Sequence, residues 1–161
     1  MTESEKLQLA QEVYDNLCEA LDRRDWKYEK FPDDLTIRFT SVGDDLPMDF
    51  IVIVDSNRQL LRVMSPVPVD VNKNKRLDLA VATCVASYGL IDGSFDYDIT
   101  TGEIFFRLTA CFRNSTVGDG LFEYLVGISS AIVDKYNDKF LAISKGLLSV
   151  DDFIASEVSA Q

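Results

Sequence analysis

Asp96 and Asp98 stand two residues apart beside a turn in the run GSFDYDITTGEIFFR, residues 93–107. Closely spaced carboxylates are what general acid–base catalysis and hard-cation binding both require. The surrounding pattern gives them a plainer place. Phe95, Tyr97 and Ile99 alternate with the two aspartates, and a period of two puts the apolar set on one face of a strand and the carboxylates on the other, toward water. A cation site needs several converging oxygens, whereas Asp-Tyr-Asp offers two from one strand. The expectation is a solvated hairpin face, with a metal or acid–base pair and a partner contact as the alternatives. If Thr101 and Gly102 are the two turn residues, Ile99 faces Ile104, Tyr97 faces Phe106, Phe95 faces Leu108 and Asp96 faces Arg107. A bulged turn slips that pairing by one, and Phe105, also apolar, leaves the register open.

Other reactive arrangements are scarce. The chain has no histidine, which removes Ser-His and Cys-His nucleophiles and imidazole metal ligation. Cys18, Cys84 and Cys111 are odd in number and far apart, set in apolar surroundings. They are expected to be reduced core residues, not a disulfide frame or a zinc site. No phosphate-binding P-loop is present, and Gly118-Asp119-Gly120 lacks the strand and following glycine of a dinucleotide fingerprint. The net charge of −11 in 161 residues repels a polyphosphate backbone. No catalytic, cofactor-binding or metal-ligating residue is assigned, and neither an enzyme nor a nucleic-acid binder is expected.

Two local features suit protein contacts. Trp26 follows Arg23-Arg24-Asp25, and an aromatic ring beside arginine is a common binding anchor; the competing reading packs the ring over the sheet edge. Lys73, Lys75 and Arg76 form a basic cluster at the start of a helix, where like charge opposes the helix dipole. It marks either a carboxylate or phosphate contact or a solvated helix end balanced by Asp70 and Asp78.

These residues are carried by a regular succession of elements. Leu7, Ala10, Val13, Tyr14, Leu17, Cys18 and Leu21 recur at steps of three and four, marking an amphipathic first helix. Leu35, Ile37 and Phe39 alternate with Thr36 and Arg38 as a one-sided strand does. Met48 to Val54 is almost continuously apolar, which predicts cover on both faces. Asp55-Ser56-Asn57 turns the chain into a third strand over 59–64, and Pro66 and Pro68 end this meander. The segment LAVATCVA, 79–86, carries no charge, so the second helix is expected to be buried on more than one side, with Ala80, Cys84 and Val85 as candidate dimer contacts. A long helix over 120–144 has the stripe Leu121, Leu125, Ile128, Ile132, Tyr136, Phe140 and Ile143, broadened by Phe122, Val126 and Val133. Intramolecular packing is the first explanation of that breadth and a dimer surface the second. Ser149-Val150-Asp151-Asp152 caps a short last turn bearing Phe153 and Ile154.

The predicted architecture is α+β: one domain over 1–161, with order α-β-β-β-α-β-β-α and an antiparallel sheet packed against helices. Its core spans about 5–145, and 147–161 form a short helical tail. Trp26-Lys27-Tyr28, the meander, the Pro66–Pro68 crossover, the apolar helix with a polar junction at Asp92-Gly93, the 93–107 hairpin and the long closing helix together resemble the YbjN family. That family is similar in fold to the type III secretion chaperones. The hairpin carries the most specific pieces of this resemblance: Gly93, Phe95, Asp98, Gly102, Glu103, Ile104, Phe106 and Arg107. The resemblance implies a small, often dimeric, non-catalytic regulator or protein-binding adaptor, and it transfers no catalytic residue.

The functional expectation is a chaperone-like or regulatory module that binds a partner polypeptide through apolar surface. The alternative is a small-ligand sensor or an unrecognised enzyme, with a pocket between the sheet and the long helix where Asp96, Asp98 or Glu103 acts. The acidic, polar opening MTESEKLQLAQE and the lack of a long apolar run predict a soluble cytoplasmic protein, without cofactor or membrane contact.

Overall fold

A computed structural model describes residues 1–159; Ala160 and Gln161, the end of the expected tail, lie outside the described residues. The elements are α1 (Glu3–Asp22), β1 (Glu29–Phe31), β2 (Thr36–Val42), β3 (Pro47–Asp55), β4 (Leu60–Pro66), α2 (Arg76–Tyr88), β5 (Ser94–Tyr97), β6 (Ile104–Cys111), α3 (Asp119–Ser144) and α4 (Val150–Ser159). The α+β order is the expected one, with one short strand added to it and the expected helical tail forming a ten-residue helix, α4. The strands form one antiparallel sheet, β1-β2-β3-β4-β6-β5.

Local chemistry starts the fold. Thr2 and Glu5 close a capping box at the head of α1, satisfying two backbone N–H groups that the helix itself leaves free. Ala10, Val13, Tyr14, Leu17, Cys18 and Leu21 are buried, as their spacing predicts, whereas Leu7 stays exposed. On the sheet, Ile37, Phe39, Met48, Phe50, Val52, Val54, Leu61, Val63, Ile104, Phe106 and Leu108 all face the helices. Their neighbours Arg38, Ile51, Ile53, Met64 and Arg107 face away, and among the described residues no helix covers that side. The cover expected on both faces of β3 is therefore absent: Ile51 and Ile53 are half-buried by their neighbours on the open face.

α3 lies over the inner face and organises the core. Phe122, Leu125, Val126, Ile132, Val133, Tyr136, Phe140 and Ile143 are all buried. Packing within the chain, against α1, α2 and the sheet, accounts for the breadth of this apolar stripe. Phe95 sits at the centre of an aromatic cluster, its ring edge-on to Phe106, Tyr136 and Phe140 at centroid distances of 5.4, 5.5 and 5.0 Å.

α2 departs from its expected environment. Leu79, Ala82, Thr83 and Ala86 are buried on one side only, while Ala80 and Val85 are half-buried at the flanks and Cys84 is exposed. A run of small apolar residues does not reveal which of its faces is covered, because both faces have the same composition. Of the three cysteines only Cys18 is a core residue; Cys111 is exposed on the outer side of β6. All three are free thiols.

The β5–β6 hairpin also differs from the two-residue-turn register. The observed pairs are Ser94 with Arg107, Phe95 with Phe106, Asp96 with Phe105 and Tyr97 with Ile104. The loop is wider because Asp98 organises it: its Oδ1 accepts from the Thr100 and Thr101 backbone N–H groups, and its carbonyl accepts from Gly102. Gly102 has a φ of +87°, which only glycine takes without strain. The pairing moves by an even step, so the apolar residues keep their face, but Ile99 is left exposed on the loop. At the other end Gly93, with φ +72°, lies so close to Phe106 that an added Cβ would stand 2.6 Å from its ring.

Phe106 is fully buried at the junction of sheet and aromatic cluster. Phe106→Ala is expected to lower stability by about 3–5 kcal/mol, measured by denaturant unfolding; a loss below about 1 kcal/mol would contradict this packing.

Candidate partner-binding surfaces

Trp26 follows the end of α1, where Asp25 at φ +54° turns the chain and the Trp26 N–H donates to the Leu21 carbonyl. Its ring stands edge-on to Phe39 at 5.3 Å, so it does pack on the sheet, yet 37% of the residue remains exposed. The exposed part lines a pocket of about 270 Å³ with Ala20, Leu21, Phe122, Val126 and Gly127. Arg24, paired with Glu123, forms part of its wall, and Arg23 pairs with Asp119 beside it. These ion pairs join the end of α1 to the first turns of α3. Behind Trp26, the Tyr28 hydroxyl donates to the Cys18 carbonyl and the Asp22 carboxylate, and its pKa is raised, first by burial and then by that carboxylate. The same bond holds the Asp22 carboxyl below the ordinary aspartate range.

The basic cluster is elsewhere. Lys75 and Arg76 stand at the start of α2, and a Cβ on Gly146 would lie 3.9 Å from Lys75 Cε, just beyond the end of α3. Trp26 packs near the other end of that helix, a separation on the order of 30 Å along its axis. The structure therefore does not bring Trp26 and the basic residues into one site. Lys75 pairs with Asp78 at 3.0 Å. Arg76 donates to the Thr100 and Thr101 carbonyls, fastening the hairpin loop to α2. Lys73 alone of the three is exposed with no carboxylate within ion-pair distance among the described residues. Like charge at this helix start is thus offset by bonds to carbonyls and a carboxylate.

The paired aspartates prove to be separate fixtures. Asp96 holds Arg107 through two bonds, Nε at 2.6 Å and Nη2 at 3.0 Å. Asp98 caps the loop, and the backbone N–H of Thr100, followed by that of Thr101, keeps its carboxyl below the usual range. Glu103 accepts from the Thr101 hydroxyl. Among the described residues no three acidic or cysteine side chains are gathered in a metal-holding group.

One surface was named only in part, through Cys84, and another escaped the sequence reading. Leu77, Val81, Cys84 and Tyr88, spaced four, three and four apart, lie on the side of α2 opposite its buried residues. Leu77 is 70%, Val81 43% and Tyr88 84% exposed, and Ile91 beyond the helix is 98% exposed. The second is an open trough of about 650 Å³ on the outer sheet face, lined by Lys27, Glu29, Arg38, Asp49, Ile51 and Pro66 among others. Arg38 stacks over Phe31 there, 5.1 Å from the ring centroid. Neither concavity lies between the sheet and α3, where the expected ligand pocket is instead filled by packed core.

The same architecture occurs in two solved structures. A chain of the HopA1–SchA chaperone–effector complex aligns with a TM-score of 0.55 at 11% identity, covering 79% of this chain and 95% of its own length. A chain of the ExsC–ExsE complex aligns with a TM-score of 0.56 at 13% identity, covering 84% of this chain and 96% of its own. The chain thus shares the fold of these two chains. No protein-family model and no curated protein sequence matches it. No helix among the described residues is long and apolar enough to cross a membrane.

The separation of the two candidate regions is directly testable. Arg76→Ala is expected to accelerate amide exchange at Gly102 by roughly tenfold while leaving the emission of Trp26, the single tryptophan, unchanged. A shifted Trp26 spectrum would mean the regions are coupled.

Proposed function

We propose that the chain is a non-catalytic adaptor, chaperone-like or regulatory, that works as a homodimer and takes up a partner polypeptide. The observation that carries this reading is the outward face of α2. Between Leu79 and Tyr88 the helix has no charged residue, and its exposed side is wholly apolar. A chain of net charge −11 repels its own copy. Two copies meet at least cost where neither presents a carboxylate, and this face meets that condition. A two-fold contact there sets Val81 and Cys84 against their counterparts, with Ala80 and Val85 at the flanks.

The Trp26 pocket is the place for the partner. Its volume of about 270 Å³ lies below the roughly 300–1,000 Å³ usual for small-ligand sites. It suits a large apolar side chain presented by a polypeptide, with the Arg24–Glu123 pair at its wall to fix orientation. The likeness to a chaperone–effector complex supports the same reading, as does the YbjN resemblance of the hairpin. Lys73 remains available as an accessory charge contact. Soluble, cytoplasmic action without cofactor, nucleic acid or membrane completes the proposal.

Light scattering is expected to give twice the chain mass, and Val81→Glu to give a folded monomer whose unfolding midpoint, unlike that of the wild type, does not depend on chain concentration. Crosslinking through Cys84 in a Cys111→Ser background is expected only for the dimer. A wild-type monomer, or a Val81→Glu dimer, would refute the α2 interface. Calorimetry with the purified partner is expected to show a negative heat-capacity change and about tenfold or more weaker binding for Trp26→Ala; undiminished affinity would move the partner away from this pocket.

A further inference from the structure

α4 lies along α2, the most extensive helix-to-helix contact among the described residues, and reaches α3 through Phe153 and Glu157. Phe153 is its one fully buried side chain. The ring enters the aromatic cluster, 6.4 Å from Tyr136 and 6.3 Å from Phe140 between centroids. One turn further on, Glu157 accepts from the Tyr136 hydroxyl at 2.8 Å. Ile154 and Val150 are half-buried, and Asp151, Asp152, Ala155, Ser156 and Val158 face water. Ser149 caps the helix, accepting from the Asp152 N–H and donating to its carboxylate.

The floor beneath α4 is built by other elements, α2, β5 and α3. Phe95, Tyr136 and Phe140 pack on one another through β5 and α3, with Tyr136 and Phe140 stacked at 5.9 Å. Phe153, itself fully buried, covers this floor. A ten-residue helix is marginal on its own in water, so α4 exists because the groove holds it. The groove in turn specifies what it holds: an aromatic anchor and a carboxylate four residues later, on one face of a helix. The Tyr136 hydroxyl, with Lys135 and Lys139 against its ring at 4.9 and 5.2 Å, favours that carboxylate.

We infer that α4 is a built-in occupant of a helix-binding groove, displaced by a partner helix with an aromatic residue and an acidic residue spaced as Phe153 and Glu157 are. The identity of the competing chain as a protein partner rests on the adaptor reading; the exchangeable groove does not. Tethering gives α4 a high effective concentration, so a displacing helix needs either higher affinity or a second foothold, which the Trp26 pocket supplies.

The test uses a fluorescein-labelled peptide of residues 148–159 and the full chain. Phe153→Ala is expected to open the groove, so that the peptide binds this variant saturably and wild type roughly tenfold or more weakly. A peptide carrying the same substitution is expected not to bind, and Tyr136→Phe in the opened chain to weaken binding several-fold. Absence of binding to a folded Phe153→Ala chain, or equal binding to both chains, overturns the inference. So does dissociation of a wild-type dimer on Phe153→Ala, which would assign the groove to α4 of a second copy. Should Phe153→Ala not fold, hydrogen exchange on the wild type decides: α4 amides must open about tenfold or more readily than those over 132–140, and equal protection overturns the proposal. The peptide is the chain's own, so its binding is independent of the adaptor reading, whose failure appears at Trp26 and α2.

Discussion

The need to cover α3 governs the molecule. This 26-residue helix buries eleven of its side chains around a wide arc, more than the inner face of one sheet can shield. The sheet covers one side of the arc, α1 closes over Phe122 and Val126, and α2 with α4 encloses Tyr136 and Phe140. Burying side chains of this size supplies the main driving force for folding, at roughly 1.5–3 kcal/mol each. Every other helix is thereby committed to the same side of the sheet. The bare outer face, with Ile51 and Met64 between arginines, is the direct result.

That commitment also creates the candidate interaction surfaces. A helix drawn onto one side must present its opposite side to water, and in α2 the opposite side is Leu77, Val81, Cys84 and Tyr88. Where α1 ends against the start of α3, the two helices and Trp26 leave a small apolar hollow braced by arginine–carboxylate pairs. The paired aspartates belong to a different economy: Asp96 restrains Arg107 and Asp98 shapes a loop. Their value is mechanical, and the hairpin they build is fastened to α2 by Arg76.

Much of this was legible in the residues, for identifiable reasons. Alternation at Leu35–Thr40 and periodicity from Ala10 to Leu21 report burial on a single face, and such patterns survive folding intact. Ser149 and Asp152 announced a cap correctly, although the helix it starts runs on to Ser159. β1 was invisible because three residues, Glu29-Lys30-Phe31, are too few to show a period. The near-continuous apolar run of β3 suggested double cover, but an uncovered face can carry isoleucine when neighbouring arginine and methionine stems shield it. Uniform composition concealed the exposed side of α2. The distance between Trp26 and Arg76 is a property of α3's length and of where each end packs, which no local pattern encodes.

Ser87 has a role disproportionate to its size. From α2 its hydroxyl accepts from the Phe95 N–H at 2.9 Å and donates to the Phe95 carbonyl, meeting the outward-facing backbone groups at the centre of β5. One margin of the sheet is thus sealed by a side chain, while the other ends in the short, charged β1. A sheet with two open margins can propagate from molecule to molecule into a fibre. With one margin sealed, strand addition has a valency of one and terminates at a pair.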